Sequence, residues 1–319
     1  MRLTDDPATD PALRSQLDRL LVLVAGHTPV RTAIVHPCDA VSLGGAMEAF
    51  RMRLIVPVLI GPAAKIAAAA VQAGEDLTGI EIIATDHSHA AADTACGLAR
   101  TGSVDAIMKG SLHTDELMAA AIDRDTGLRT DRRMSHVFIF DVPTYPRPLF
   151  ISDAAVNIAP DLATKKDIVQ NAIDCALALG TIGPRVAILA AVETVHPDMV
   201  ATIDAAALAK MADRGQIVGG LVDGPLAYDN AISKTAAEMK QIVSDVAGVA
   251  DVLIVPNIEA GNMIAKQLTY LANAQSAGIV IGARVPIILT SRADSLLSRL
   301  ASCAVAVLVA RHERSKPPR

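Results

Sequence analysis

The sequence predicts an α/β protein of two parallel-sheet lobes, and three observations carry that prediction. Short runs of β-branched and aliphatic residues alternate with alanine-rich helical segments from end to end, the pattern that builds parallel sheets flanked by helices. A length of 319 residues suits two domains of ordinary size. Hydrophobic residues make up 51% of the chain while aromatics are 2% and tryptophan is absent, so the core must be alanine and small aliphatic side chains. That composition packs helices closely on sheets and offers no aromatic platform for unpaired bases.

In chain order, strands are expected near residues 32–35, 55–60, 81–84, 106–108, 137–140 and 149–151, each a short apolar run bounded by turn signals. A second series follows near 186–190, 217–222, 252–255 and 287–289, with helical patterns over 161–179, 199–213 and 261–273. Between the series, Pro143, Pro146 and Pro148 interrupt the chain. Proline fixes φ and donates no hydrogen bond, so this stretch reads as a crossover or hinge. A cleft is expected where strand ends from both lobes converge.

The formal charge of −5 and a pI near 5.9 argue against a protein that grips a phosphodiester backbone. Basic residues are scattered apart from Arg124, Arg129, Arg132 and Arg133, and nucleic acid is not expected as a partner. Cys38, Cys96, Cys175 and Cys303 form no CxxC pair and lie in apolar or helical runs, which reads as buried free thiols in a reducing cytosol. The acidic start of the chain is unlike a secretory signal, and no uncharged apolar run is long enough to cross a bilayer. A soluble cytoplasmic protein without membrane contact is expected. GxxxxGK[ST], a strand-following GxGxxG, GxSxG and HExxH are all absent, so anion recognition falls to individual loops at strand ends.

Five such loops stand out. Lys109-Gly110-Ser111-Leu112-His113-Thr114 leads from a strand to a helix; it either holds an anion on its amides and hydroxyls or is a tight turn with Ser111 or Thr114 as helix cap. Ser152-Asp153-Ala154-Ala155-Val156-Asn157 ends a strand, and Asp153 and Asn157 either position a substrate or satisfy loop amides as Asx turns. Asp223-Gly224-Pro225-Leu226-Ala227-Tyr228-Asp229 breaks a strand, with Asp229 placed to cap the next helix. In Pro256-Asn257-Ile258-Glu259-Ala260-Gly261-Asn262, Gly261 or Asn262 is expected to open a helix whose N-terminus favours an anion, with Lys266 one turn in. Finally, Pro286-Ile287-Ile288-Leu289-Thr290-Ser291-Arg292-Ala293-Asp294 carries a strand into a hydroxyl pair, a guanidinium and a carboxylate. Ser291 and Asp294 have the spacing of a capping pair, which leaves Arg292 without a structural task.

Taken in order, these five motifs resemble the phosphate acetyl/butyryltransferase family from about Val30 onward. The resemblance implies two αβα domains of the isocitrate/isopropylmalate dehydrogenase-like type with the active site in the cleft between them. It makes the first domain discontinuous, residues 1–149 plus 285–319, around a second of 150–284. It implies the reversible conversion of acetyl-CoA, or a short-chain acyl-CoA such as butyryl-CoA, plus phosphate into acyl phosphate and CoA, by direct attack without a covalent enzyme intermediate. Ser291, Arg292 and Asp294 fall on the catalytic positions, Arg292 clamping phosphate and offsetting charge on the carbonyl oxygen. Substrate binding falls to Lys109, Gly110, Ser111, His113, Thr114, Asp153, Asn157, Asn257, Gly261, Asn262 and Lys266. No metal and no nicotinamide is implied; CoA is substrate and product, and a homodimer is the usual assembly. The chain departs from the acetyltransferase branch in two places: near Ser298, where that branch has an acid several residues beyond the Ser-Arg pair, and soon after the His113-Thr114 segment, where that branch has an arginine and this chain has Met118. Both departures point to the butyryl-like or broad-specificity side. A metal- and NAD(P)-dependent hydroxyacid dehydrogenase of the same fold type, and a non-catalytic acyl-CoA-binding relative, are the competing expectations.

Overall fold

The run Val30–Val35 forms β1, and its lack of polar alternation has the cause a parallel interior strand requires: Ala33, Ile34 and Val35 are all fully buried, so both faces are covered. In the computed structural model, which describes residues 15–289 and 294–315, the chain divides into two units. One is Met1–Arg132 together with Ala277–Arg319; the other is Arg133–Ser276.

The first unit runs through α1 (Gln16–Leu23), β1, α2 (Ala40–Arg51), β2 (Ile55–Gly61), α3 (Ala63–Ala73), β3 (Glu81–Ala84), α4 (Ser88–Arg100), β4 (Ala106–Lys109) and α5 (Thr114–Ile122). The chain then builds the second unit from β5 (Ser135–Asp141), β6 (Leu149–Ser152), α6 (Leu162–Ala178), β7 (Arg185–Leu189), α7 (Val200–Asp213), β8 (Leu221–Leu226), α8 (Tyr228–Ile232), α9 (Lys234–Met239), β9 (Val252–Ile254) and α10 (Ile258–Leu271). It returns to the first unit with β10 (Gln275–Ile281), β11 (Ile287–Ile288) and α11 (Leu296–Ser315).

In the first unit the strand order is β3-β2-β1-β4-β11-β10, parallel except for β10, which meets β11 antiparallel at Val280 and Ile287. From β1 the chain winds outward to β2 and β3, then returns to place β4 on the other side. The order therefore reverses between β1 and β4, and the crevice at a topological switch point of this kind is where open α/β sheets bind ligands. α11 is buried on nearly every side from Ser298 to Val307, as befits a helix laid against the sheet.

The second unit orders its strands β5-β6-β9-β7-β8, with β5 antiparallel to β6 and the rest parallel. Phe140, Leu149, Ile151, Leu253 and Leu226 sit in one apolar core there. No described helix is long and apolar enough to cross a membrane.

One expectation is corrected. The proline stretch is no hinge: it is the tip of the β5–β6 hairpin, which pairs Phe140 with Leu149. Tyr145 fastens the tip, its hydroxyl donating to the Ala250 carbonyl at 2.6 Å, while Arg147 Nη1 donates to the Val249 carbonyl at 3.0 Å. The two units meet at 132/133 and 276/277, where the sequence suggests 149/150 and 284/285, and the first of these divisions keeps the β5–β6 hairpin whole. β10 goes unforeseen because its opening Gln275-Ser276-Ala277-Gly278 has little strand character.

Candidate active site

At the switch point of the first unit, β1 ends in His36, whose φ of 54° turns the chain sharply. Asp39 then caps α2, its Oδ1 accepting the Ser42 N–H at 2.8 Å. Beside it, β4 ends in Lys109 and Gly110. The Gly110 N–H donates to the Val35 carbonyl and the Ser111 N–H to the His36 carbonyl, both at 2.9 Å, so the two loops are laced together. Ser111 Oγ also donates to the His36 carbonyl at 2.7 Å and accepts the Cys38 N–H at 3.2 Å. His36, Cys38, Asp39, Val41, Lys65 and Ser111 line a pocket of about 420 Å³, with Lys65 reaching it from the first turn of α3.

Burial holds the His36 imidazole below its ordinary pKa, and the Lys65 ammonium lowers it further, against weaker opposition from Glu116 and Asp39. Burial pushes the Cys38 thiol up, so it is a neutral thiol rather than a thiolate. Of these lining residues the sequence-based site contains Ser111 alone. His36, Asp39 and Lys65 were missed. A readable signal was present in His36-Pro37-Cys38-Asp39, a strand end followed by proline and a helix cap.

The other residues of the 109–114 loop divide between scaffold and surface. Lys109 Nζ donates to the Gly110 carbonyl at 3.2 Å and the Leu112 carbonyl at 3.1 Å, which ties the loop to itself. His113, rather than Ser111 or Thr114, occupies the cap position of α5, and Thr114 is the first helical residue. The Glu116 side chain accepts the His113 N–H at 3.5 Å.

The second unit gathers Asp153, Asn157, Asn257, Gly261 and Asn262. Asp153 is buried, and its Oδ1 accepts the N–H groups of Ala155 at 3.0 Å and Val156 at 3.1 Å. Its Oδ2 accepts Asn157 N–H at 3.0 Å and Asn157 Nδ2 at 2.6 Å, and that same Nδ2 donates to the Met134 carbonyl at 2.9 Å. Both side chains thus organise the loop. Nearby, burial pushes the His136 imidazole down to about 4, with the Asp153 charge opposing.

α10 opens at Asn257, whose Oδ1 caps the Ala260 N–H at 3.0 Å, and not at Gly261 or Asn262. Gly261 lies within the first turn, where a Cβ would stand 2.8 Å from Val255 Cγ2 and 2.9 Å from Ala154 Cβ; its smallness lets the helix rest on the Asp153 loop. Asn262 Nδ2 donates to the Ala154 carbonyl at 3.4 Å. The earlier start puts Lys266 two turns into α10 on an exposed face, away from the N-terminal amides. Asp229 lies inside α8 instead of capping it and pairs with Lys240 at 3.4 Å.

Thr290, Ser291, Arg292 and Ala293 lie outside the described residues. β11 sets Ile287 and Ile288 beside Ile107 and Met108 in parallel, so Leu289 leaves the sheet at the same edge as Lys109 and Gly110. Asp294 is half-buried, and the capping hydroxyl of α11 belongs to Ser295, which accepts the Ser298 N–H at 3.1 Å. Ser298 is buried against that hydroxyl at 3.0 Å. Among the described residues no three His, Cys, Asp or Glu side chains converge as metal ligands.

Comparison with known proteins identifies the family. Residues 89–307 match the family model described as phosphate acetyl/butaryl transferase. A phosphate acetyltransferase of Rhizobium meliloti is 57% identical over 305 residues, covering 96% of each chain. A phosphate butyryltransferase of Clostridium acetobutylicum is 39% identical over 92% of this chain and 97% of its own. The crystal structure of a branched-chain phosphotransacylase from Enterococcus faecalis V583 superposes with a TM-score of 0.77 at 28% identity, over 89% of this chain and 99% of that one. With a family model matched over residues 89–307 and relatives of that name 39–57% identical over nearly the whole chain, the chain belongs to the phosphate acetyl/butaryl transferase family.

Proposed function

We propose that this chain is a phosphate acyltransferase that interconverts acyl-CoA plus phosphate with acyl phosphate plus CoA, with acetyl-CoA as its first substrate. The observation that carries the reading is the 57% identity, over 96% of both chains, to a relative named phosphate acetyltransferase. A phosphate oxygen attacks the thioester carbonyl carbon, the carbonyl oxygen takes up the charge, and the C–S bond breaks to release CoA as thiolate. Arg292 clamps the phosphate and offsets the oxyanion charge, with Ser291 beside it. Holding two reactants in line supplies much of the acceleration, because no covalent intermediate intervenes. We further infer a cytoplasmic homodimer that works without metal or nicotinamide.

The test is phosphate-dependent release of free thiol from acetyl-, propionyl- and butyryl-CoA by the purified protein. Thiol release that requires phosphate is the expected result, and the ranking of the three substrates assigns the chain length. No release with any of them rejects the activity. Arg292→Ala is expected to lower kcat by about 10²–10³, the loss typical of one charge-stabilising donor. Near-normal turnover would remove Arg292 from the role given to it.

A further inference from the structure

Ser111 Oγ stands among three groups of the loop after β1: the His36 carbonyl oxygen at 2.7 Å, His36 Nδ1 at 3.1 Å and the Cys38 N–H at 3.2 Å. A hydroxyl has one proton and two acceptor lone pairs. A carbonyl oxygen has no proton to give, so the 2.7 Å contact uses the proton of Ser111. Toward the ring the oxygen then offers a lone pair, and Nδ1 must carry the hydrogen. The neutral imidazole is therefore the Nδ1–H tautomer. Its Nε2 keeps a basic lone pair on a residue that lines the pocket.

The groups around that ring favour its neutral form. Lys65 of α3 faces it with positive charge, Asp39 at the head of α2 and Glu116 of α5 oppose with negative charge, and the Cys38 thiol beside it is neutral. Of the two nucleophiles of the reversible reaction, phosphate already carries ionised oxygens near pH 7, whereas a thiol with a pKa near ~8.5 is mostly protonated. The thiol is the reactant that needs a base.

We propose that His36 is the acid–base residue of the transfer: Nε2 takes the proton of the CoA thiol as sulfur attacks acyl phosphate, and returns it to the departing thiolate in the opposite direction. The S–H pair becomes free to form the C–S bond, the C–O bond to phosphate breaks, and phosphate leaves with that electron pair. Lys65, which lines the same pocket, brings the positive charge that steadies the thiolate. The proposal rests on the phosphate acyltransferase reading.

His36→Asn tests it. Asparagine tolerates a φ of 54°, keeps an amide N–H where Nδ1–H stood, and has no basic nitrogen. CoA consumption from acetyl phosphate is followed from about pH 5.5 to about pH 9, with melting temperature as the folding control. The wild type is expected to lose rate at the acid end, below the ordinary imidazole range, where the ring takes up a proton, and to run flat above it. The variant is expected to lose about 10²–10³ in kcat at pH 7 with KM for acetyl phosphate little changed. Its rate should climb steadily with pH as free thiol ionises, without the acid limb. A variant within threefold of wild type that retains the acid limb overturns the proposal. So does a wild type with no acid limb, a result that needs no variant to fold. A wild type without turnover at any pH rejects the activity itself, and this proposal with it.

Discussion

Gly110→Ala is expected to unfold much of the protein or leave it without activity. A Cβ at that position would overlap the Val35 carbonyl oxygen and lie 2.7 Å from the His36 carbonyl oxygen and 2.8 Å from its carbon. These are backbone atoms at and just beyond the end of β1, which is locked in register with β4 from Thr32 to Val35, so no flexible side chain can swing aside. Relief requires the two strand ends to part, which breaks the Gly110 and Ser111 amide bonds to Val35 and His36 and pulls Ser111 from the pocket. The cost should reach or exceed the upper end of the ~1–3 kcal/mol typical of overpacking. Gly97→Ala is the matched comparison: it lies inside α4, a Cβ there meets nothing within 4 Å, and alanine should stabilise by up to ~1 kcal/mol. Urea unfolding of both variants checks the pair. A Gly110→Ala midpoint equal to wild type would show that β1 and β4 separate without cost.

Asp153→Ala is expected to have the next largest effect on stability. Four donors converge on that buried carboxylate, three of them backbone amides of the loop that follows it. Removing the acceptor should cost about 3–5 kcal/mol, less than a plain sum because the four bonds share one loop. Asp153→Asn should be nearly as damaging despite its shape, since one of its terminal positions becomes a donor facing donors. α10 rests on this loop through Gly261 and Ala154, so faster amide exchange is expected at residues 155–157 and at the head of α10. Urea midpoints and amide exchange of the two variants provide the measurement; asparagine performing as well as aspartate would mean that the loop does not depend on acceptor capacity.

Most strands were legible because buried parallel strands are short apolar runs between turn signals. The direction of a strand was not, since an interior strand buried on both faces shows the same periodicity either way. That is why the β5–β6 hairpin read as a crossover, and why its prolines looked like a boundary. Glycine misled at Gly261, where the sequence suggests a helix start and the structure uses smallness inside the helix. In the candidate site, Gly110 and Ser111 were legible as a strand-end loop. His36 ends a legible strand, but its partnership with Ser111 spans 75 positions and exists only once β1 and β4 lie side by side.

The path of the chain through the first unit also sets an order of assembly. β4 receives β1 on one edge early, but its other edge is paired by β11, which is made only after the whole of the second unit. Domains tend to fold as they emerge during synthesis. The inserted unit can therefore finish its sheet first, while the row of amides and carbonyls along Ile107 and Met108 waits unpaired. An open apolar edge is an invitation to wrong partners. A short strand of two residues, arriving late, is what closes it.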